Sequence, residues 1–247
     1  MNQIFASNFT GQPFVIFSPS HLVALSIIVL ILIAIYVFRN RFTERGKKIF
    51  RYSLAAMLII QEISNHAWFI YAGQWTAQEM LPLHLCGLLV WASAFMLVRK
   101  SNTVYEFAYI IGIMGALQAL LTPNIGVYGY PHFRFFQTNL SHGGIVIAAL
   151  YMTWVEGFRP YPKSLWHVLV YGNVYMLFAG IINWLIGSNY LFIAHKPETA
   201  SILDSLPDWP IYILYIEGLA IVLGLLMYLP FFIKDTRAKK LAAATQA

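Results

Sequence analysis

The stretch SHLVALSIIVLILIAIYVFRNRFTERGKKIFR, residues 20–51, decides the fold. Its first nineteen residues hold no Asp, Glu, Lys or Arg and are mostly β-branched or leucine, and its last thirteen hold six Lys or Arg. An uncharged apolar run of about 20 residues is the length of helix that crosses a bilayer. A basic cluster directly after it marks the cytoplasmic side. The nineteen residues before the run carry no charge, so the basic leader of a signal peptide is missing and the run reads as a retained helix.

Outward from that stretch, the same pattern recurs. Apolar runs fall at about 20–38, 52–72, 80–98, 103–121, 137–155, 165–187 and 210–233. Pro19 and Pro210 stand where helices begin, and Pro230 where the last ends or kinks. The expectation is an all-α membrane protein: one domain over 1–247, a bundle of seven transmembrane helices with no soluble domain. Hydrophobic residues make up 59% of the 247 and charged residues 11%, a balance that excludes disorder and an ordinary soluble domain. Fourteen of the sixteen Lys and Arg fall in the first, third and fifth connections and the C-terminal tail; the other two are Arg134 and Lys196. This bias puts the N-terminus outside and the C-terminus in the cytoplasm of a cell-membrane, multi-pass protein, and it explains the net charge of +6 without nucleic acid. Trp68, Trp75 and Trp209 are expected at the outer interface, and Trp154 and Trp166 at the inner one. The single cysteine, Cys86, excludes an internal disulfide and an all-cysteine metal site.

Polar side chains in hydrocarbon are costly unless paired, so their depth is informative. Gln61, Glu62, Asn65 and His66 share one arc of the second span, with Glu62 and His66 a turn apart. His84 and Cys86 fall in the first two turns of the third span, Gln118 in the fourth, Gln137, Asn139 and His142 in the fifth, Asn183 in the sixth and Glu217 in the seventh. All lie in the outer half, and together they predict a pocket open to the outer leaflet. Within it, Glu62 and His66 are expected to be coupled and to matter more than Trp91 or Gln137. Gly112, Gly115, Ala116, Gly180 and Gly187 are expected at close helix contacts. Arg134, at headgroup height, is placed either to meet a phosphate or to snorkel. The loop 189–212, with Pro197, Pro207, Pro210, Glu198, Asp204 and Asp208, reads as an ordered cap carrying solvent-facing His195 and Lys196.

Two chemistries fit. No HExxH spacing supports a metal site. Cys86 is a candidate nucleophile that needs a base from another helix, His142 first and His66 second, because His84 lies two residues away and faces elsewhere. Asn139 or Gln118 would steady the oxyanion. The alternative is a non-catalytic transporter or receptor in which Glu62, His66 and Glu217 bind a small polar or amphiphilic ligand.

The stretches LPLHLC (81–86), YPHFRFFQTNLSHG (130–143) and NYLF…KP…SILDSLPDWPIY (189–212) resemble the YwaF-like family of bacterial integral membrane proteins, which is distantly similar to vertebrate transmembrane protein 164. The resemblance implies a thiol-dependent lipid acyltransferase or lipase-like enzyme, with Cys86 as the acyl-accepting cysteine and His142 as its partner. Membrane lipids, a phospholipid as substrate, are the partners expected; no nucleic acid and no cofactor is implied.

Overall fold

The computed structural model describes residues 3–198 and 202–246. It is all helical: α1 Pro19–Phe38, α2 Glu44–Tyr71, α3 Leu85–Arg99, α4 Asn102–Phe107, α5 Ile113–Leu121, α6 Phe133–Trp154, α7 Pro162–Ile186 and α8 Ile211–Gln246. A five-residue π-helical turn, Ala108–Gly112, joins α4 and α5 into one rod, so seven rods cross the described structure.

The rods alternate in direction, as contacts at both ends show. At one end, the N-terminal face, His21 of α1 meets the Leu120 carbonyl of α5, and Gln78 meets the Ile186 carbonyl of α7. At the other, the basic face, Arg51 of α2 donates to the Leu97 carbonyl of α3 (2.7 Å), and Glu156 pairs with Arg51 (3.0 Å) and Lys100 (2.5 Å). There too the buried Glu106 of α4 accepts from Asn102 (3.0 Å) and Ser164 (2.7 Å) and meets His167 Nδ1 (2.9 Å), which fixes the start of α7. Arg159 grips Asp235 with two bonds, Nη1 to Oδ1 at 3.0 Å and Nη2 to Oδ2 at 2.5 Å.

The tightest packing surrounds α6, which touches α1, α2, α3 and α5. Glycines make that possible. A Cβ on Gly144 would sit 2.7 Å from Leu58 of α2, and one on Gly143 would sit 2.8 Å from Ile28 of α1. Small residues let helices approach where lipid removes the hydrophobic drive between them. Leu58, Leu89, Val90, Ile145, Ala148 and Ala149 fill the space so formed and are almost wholly buried.

Several expectations need correction. The third helix begins at Leu85, after Pro82, so Cys86 is its second residue and His84 its N-cap in extended backbone. α8 continues through Pro230 to Gln246. Gly187 is a left-handed C-cap (φ 66°) and makes no close helix contact. Trp68 is buried, its indole donating to the Phe5 carbonyl (3.1 Å). Among the described residues, four rods are by length and composition apolar enough to cross a membrane: Pro19–Arg41, Asn102–Leu121, Pro162–Ile186 and Ile211–Thr245.

Candidate active site

α2 and α6 meet near the N-terminal face along a seam of amides. Arg134 Nη1 donates to Asn65 Oδ1 and to Gln137 Oε1 (2.6 Å), and its guanidinium lies over the Phe69 ring at 4.7 Å. Gln137 Nε2 donates to Gln61 Oε1 (3.0 Å), and Gln61 Nε2 donates to Glu62 Oε2 (3.4 Å). From the other side, Trp75 Nε1 donates to His66 Nδ1 (3.0 Å). That bond makes Nδ1 the lone-pair nitrogen of a neutral ring, so Nε2 carries the proton and points it at Glu62 Oε1, 3.6 Å away. The donors on both sides are thus ordered toward one buried carboxylate. Arg134 is joined to Glu62 through two aligned amides, which spares either charge a direct pairing geometry while linking their fields.

Gln137 therefore sits in the middle of the network, joining Arg134 to Gln61. Arg134 neither snorkels nor stands free, since its charge is turned inward onto neutral oxygens. An apolar groove of 620 Å³ on the outside of α2 and α6, walled by Ile60, Phe136 and Leu140, has Gln61 and Gln137 in its lining. It provides a lateral approach to the seam.

Cys86 and His142 stand on α3 and α6, which pack against each other, and α2 packs on both. Glu62 lies within electrostatic range of the Cys86 thiol. Cys86 and His142 share no hydrogen bond among the described residues. His142 Nδ1 lies 2.8 Å from the Thr138 carbonyl and 3.3 Å from its hydroxyl. A carbonyl only accepts, so Nδ1 holds the proton and Nε2 the lone pair. Nε2 has no hydrogen-bond partner among the described residues. A helix carbonyl thus does for His142 what a carboxylate does for the histidine of a catalytic triad, fixing tautomer and ring direction.

Other expected site residues lie elsewhere. His84 packs on Tyr190 and Phe192 with ring centroids 5.0 and 5.3 Å apart. Asn183 is buried, and its amide ties down the following loop through Ser188 Oγ (2.8 Å) and the backbone of Tyr190. Gln118 is exposed. Asn139 donates one of its two amide N–H bonds to the Phe135 carbonyl (2.8 Å). Glu217 lines a separate groove between α7 and α8. Lys196 is a clasp, its ammonium donating to the Leu206 carbonyl (2.8 Å) near Asp208 (3.6 Å), whereas His195 is exposed. Residues 199–201 of the expected cap lie outside the described residues.

An N-terminal strap covers this end of the bundle. His132 Nε2 donates to the Ala6 carbonyl (3.1 Å), while Nδ1 accepts from the Arg134 amide (3.1 Å); Tyr128 donates to the Ser7 carbonyl (3.0 Å). Burial pushes the His132 imidazole below its ordinary pKa.

Thr138 and the bridging role of Gln61, Asn65 and Gln137 were missed by the sequence reading. The signal was available for Thr138, one turn before His142 on the same face. Among the described residues no three His, Cys, Asp or Glu side chains converge as a metal site requires. No curated protein and no solved structure matches the chain. The TMEM164 family matches residues 16–228, which takes in six of the seven rods whole and most of α8's apolar part. With its apolar helices and that match, the chain is a membrane protein that belongs to the TMEM164 family.

Proposed function

We propose that this protein is a single-domain, seven-span acyltransferase or lipase-like enzyme of the cell membrane, related to YwaF-like bacterial proteins, with its N-terminus outside and its C-terminus in the cytoplasm. It acts on a membrane phospholipid entering sideways from the outer leaflet. The observation that carries the reading is the His142 tautomer: the Thr138 carbonyl holds the proton on Nδ1 and leaves Nε2 as a base, on a helix packed against the helix of the only thiol. Family membership is compatible with it.

In the reaction proposed, Cys86 Sγ attacks an ester carbonyl of the lipid as Nε2 of His142 takes the thiol proton. Transfer during attack avoids a free thiolate in apolar surroundings, where a buried thiol is otherwise inert. The tetrahedral intermediate collapses with cleavage of the ester C–O bond, and His142 returns the proton to the departing alcohol. A thioester remains on Cys86. His142 then deprotonates an incoming lysolipid hydroxyl, or water, which attacks the thioester and releases the thiol. The amide seam holds α2 against α6 beside the groove.

An activity-based thiol probe on purified protein tests this. Labelling at Cys86 that depends on His142, and that lipid protects against, is the expected result. Lipid-induced thermal shifts with no labelling would favour a binding protein instead.

A further inference from the structure

The groove between α7 and α8 lies outside the site described above, and neither Cys86 nor His142 lines it. It encloses 720 Å³. Met176, Leu177 and Ile181 wall one side. They fall between Asn173 and Trp184, about 16 Å apart along α7 at 1.5 Å per residue, enough to lay down a long alkyl chain. Near the N-terminal face the groove is bounded by Trp209, whose indole N–H donates to the Ile193 carbonyl (2.9 Å) and so holds the ring in place. Trp184 lines the same end and is 83% exposed.

Glu217 is the only charged residue in the lining. It lies six residues into α8, about 9 Å from the helix start. No hydrogen bond or ion pair engages its carboxylate among the described residues. A carboxylate at such depth costs several kcal/mol without a counter-charge, and intramembrane carboxylates are paired or functional. No Lys, Arg or His lines the groove, so the lining itself offers no counter-charge and a cationic occupant would supply one. A carboxylate beside indole rings is the chemistry that recognises ammonium ions, and apolar walls select an ammonium that carries a chain.

We propose that the α7–α8 groove binds one amphiphile with an ammonium head, the head beside Glu217 and Trp209 and the chain along Met176, Leu177 and Ile181. A sulfate or phosphate head alone would meet repulsion from Glu217, and a sugar head would leave its charge unanswered. The site is independent of acyl transfer, and it stands or falls on its own.

Full-length protein in uncharged maltoside micelles is titrated with chain-brominated dodecyltrimethylammonium or with chain-brominated dodecyl sulfate. The readout is the tryptophan quenching that disappears in a Trp184→Phe, Trp209→Phe double variant. The ammonium amphiphile is expected to quench at a concentration lower by about tenfold, which is about 1.4 kcal/mol. Glu217→Gln should abolish that preference while the protein remains monodisperse. Gly180→Leu should block quenching by both amphiphiles, because a Cβ there already meets Ile193 at 3.6 Å and the larger side chain fills the groove. Equal quenching by the two heads on the wild-type protein overturns the proposal, and so does a preference that survives in Glu217→Gln.

Discussion

At the scale of the residue, the site is governed by which atoms hold protons. Arg134, Gln137, Gln61 and Glu62 form one donor-to-acceptor sequence, and Trp75 with His66 forms a second that ends at the same carboxylate. Replacing Gln137 with Leu removes an acceptor from Arg134 and a donor from Gln61 in one step. Leaving buried polar atoms unsatisfied costs about 1–3 kcal/mol, so thermal unfolding in detergent should show a clear loss of stability. Adding Gln61→Leu should cost less than the sum of the two single changes, because the second removes a partner already orphaned. Exposed Gln118→Leu should stay within about 0.5 kcal/mol of the parent. Additive losses at Gln61 and Gln137 would show that the seam is not one unit. Little of this was legible beforehand. Residue type and depth marked Glu62, His66, Cys86 and His142 as candidates, but bond direction depends on rotamers across two helices, which no spacing encodes. Arg134 illustrates the gap: its charge and height suggested a headgroup contact, while Asn65 and Gln137 supply acceptors that turn it inward.

At the scale of the element, composition revealed the rods better than their ends. α1, the α4–α5 rod, α7 and α8 are recognisable from apolar length alone. α2, α3 and α6 show shorter or more interrupted apolar runs, at about 52–72, 80–98 and 137–155, and they are the three that carry the candidate site. α2 starts among Glu44, Arg45, Lys47 and Lys48, α3 is only 15 residues long, and α6 gives its first turns to Arg134, Gln137, Thr138, Asn139, Ser141 and His142. Polar and charged side chains lower the signal by which a span is found. The close approach of α6 to α1 and α2 rests on Gly143 and Gly144, whose adjacency reads equally well as loop or helix until the partners Ile28 and Leu58 are known. The N-cap of α6 adds a pH dependence. The bond from the Arg134 amide needs His132 Nδ1 as an acceptor, and burial holds the imidazole below its ordinary pKa. A depressed histidine contributes stability that is present above its unfolded pKa of about 6.5 and is lost as pH falls through the folded value. The protection factor of the Arg134 amide, taken against its intrinsic exchange rate at each pH, should therefore fall on acidification below about pH 6.5. A protection factor unchanged by pH, or the same fall in His132→Gln, would remove His132 as the cause.

At the scale of the molecule, the two ends of the bundle have different chemistry. Ion pairs at Glu156 and Asp235 and the hydrogen bonds of Glu106 fasten the basic face, while amides, imidazoles and the strap fasten the other. The proposed topology puts the basic face in the cytoplasm. In a Cys86→Ala background, Asn40→Cys should then resist a membrane-impermeant maleimide in intact cells and Asn8→Cys should react; the reverse pattern would invert the orientation. The central claim concerns a covalent bond and is tested by intact mass. Purified protein is mixed with a phospholipid of known acyl chain and quenched within one turnover. The account predicts a mass increase of one acyl group on Cys86 that hydroxylamine removes, that a lysolipid chases, and that is absent in Cys86→Ser and His142→Ala variants of normal fold. Lipid turnover with no acyl adduct, or turnover that survives in Cys86→Ser, would contradict it.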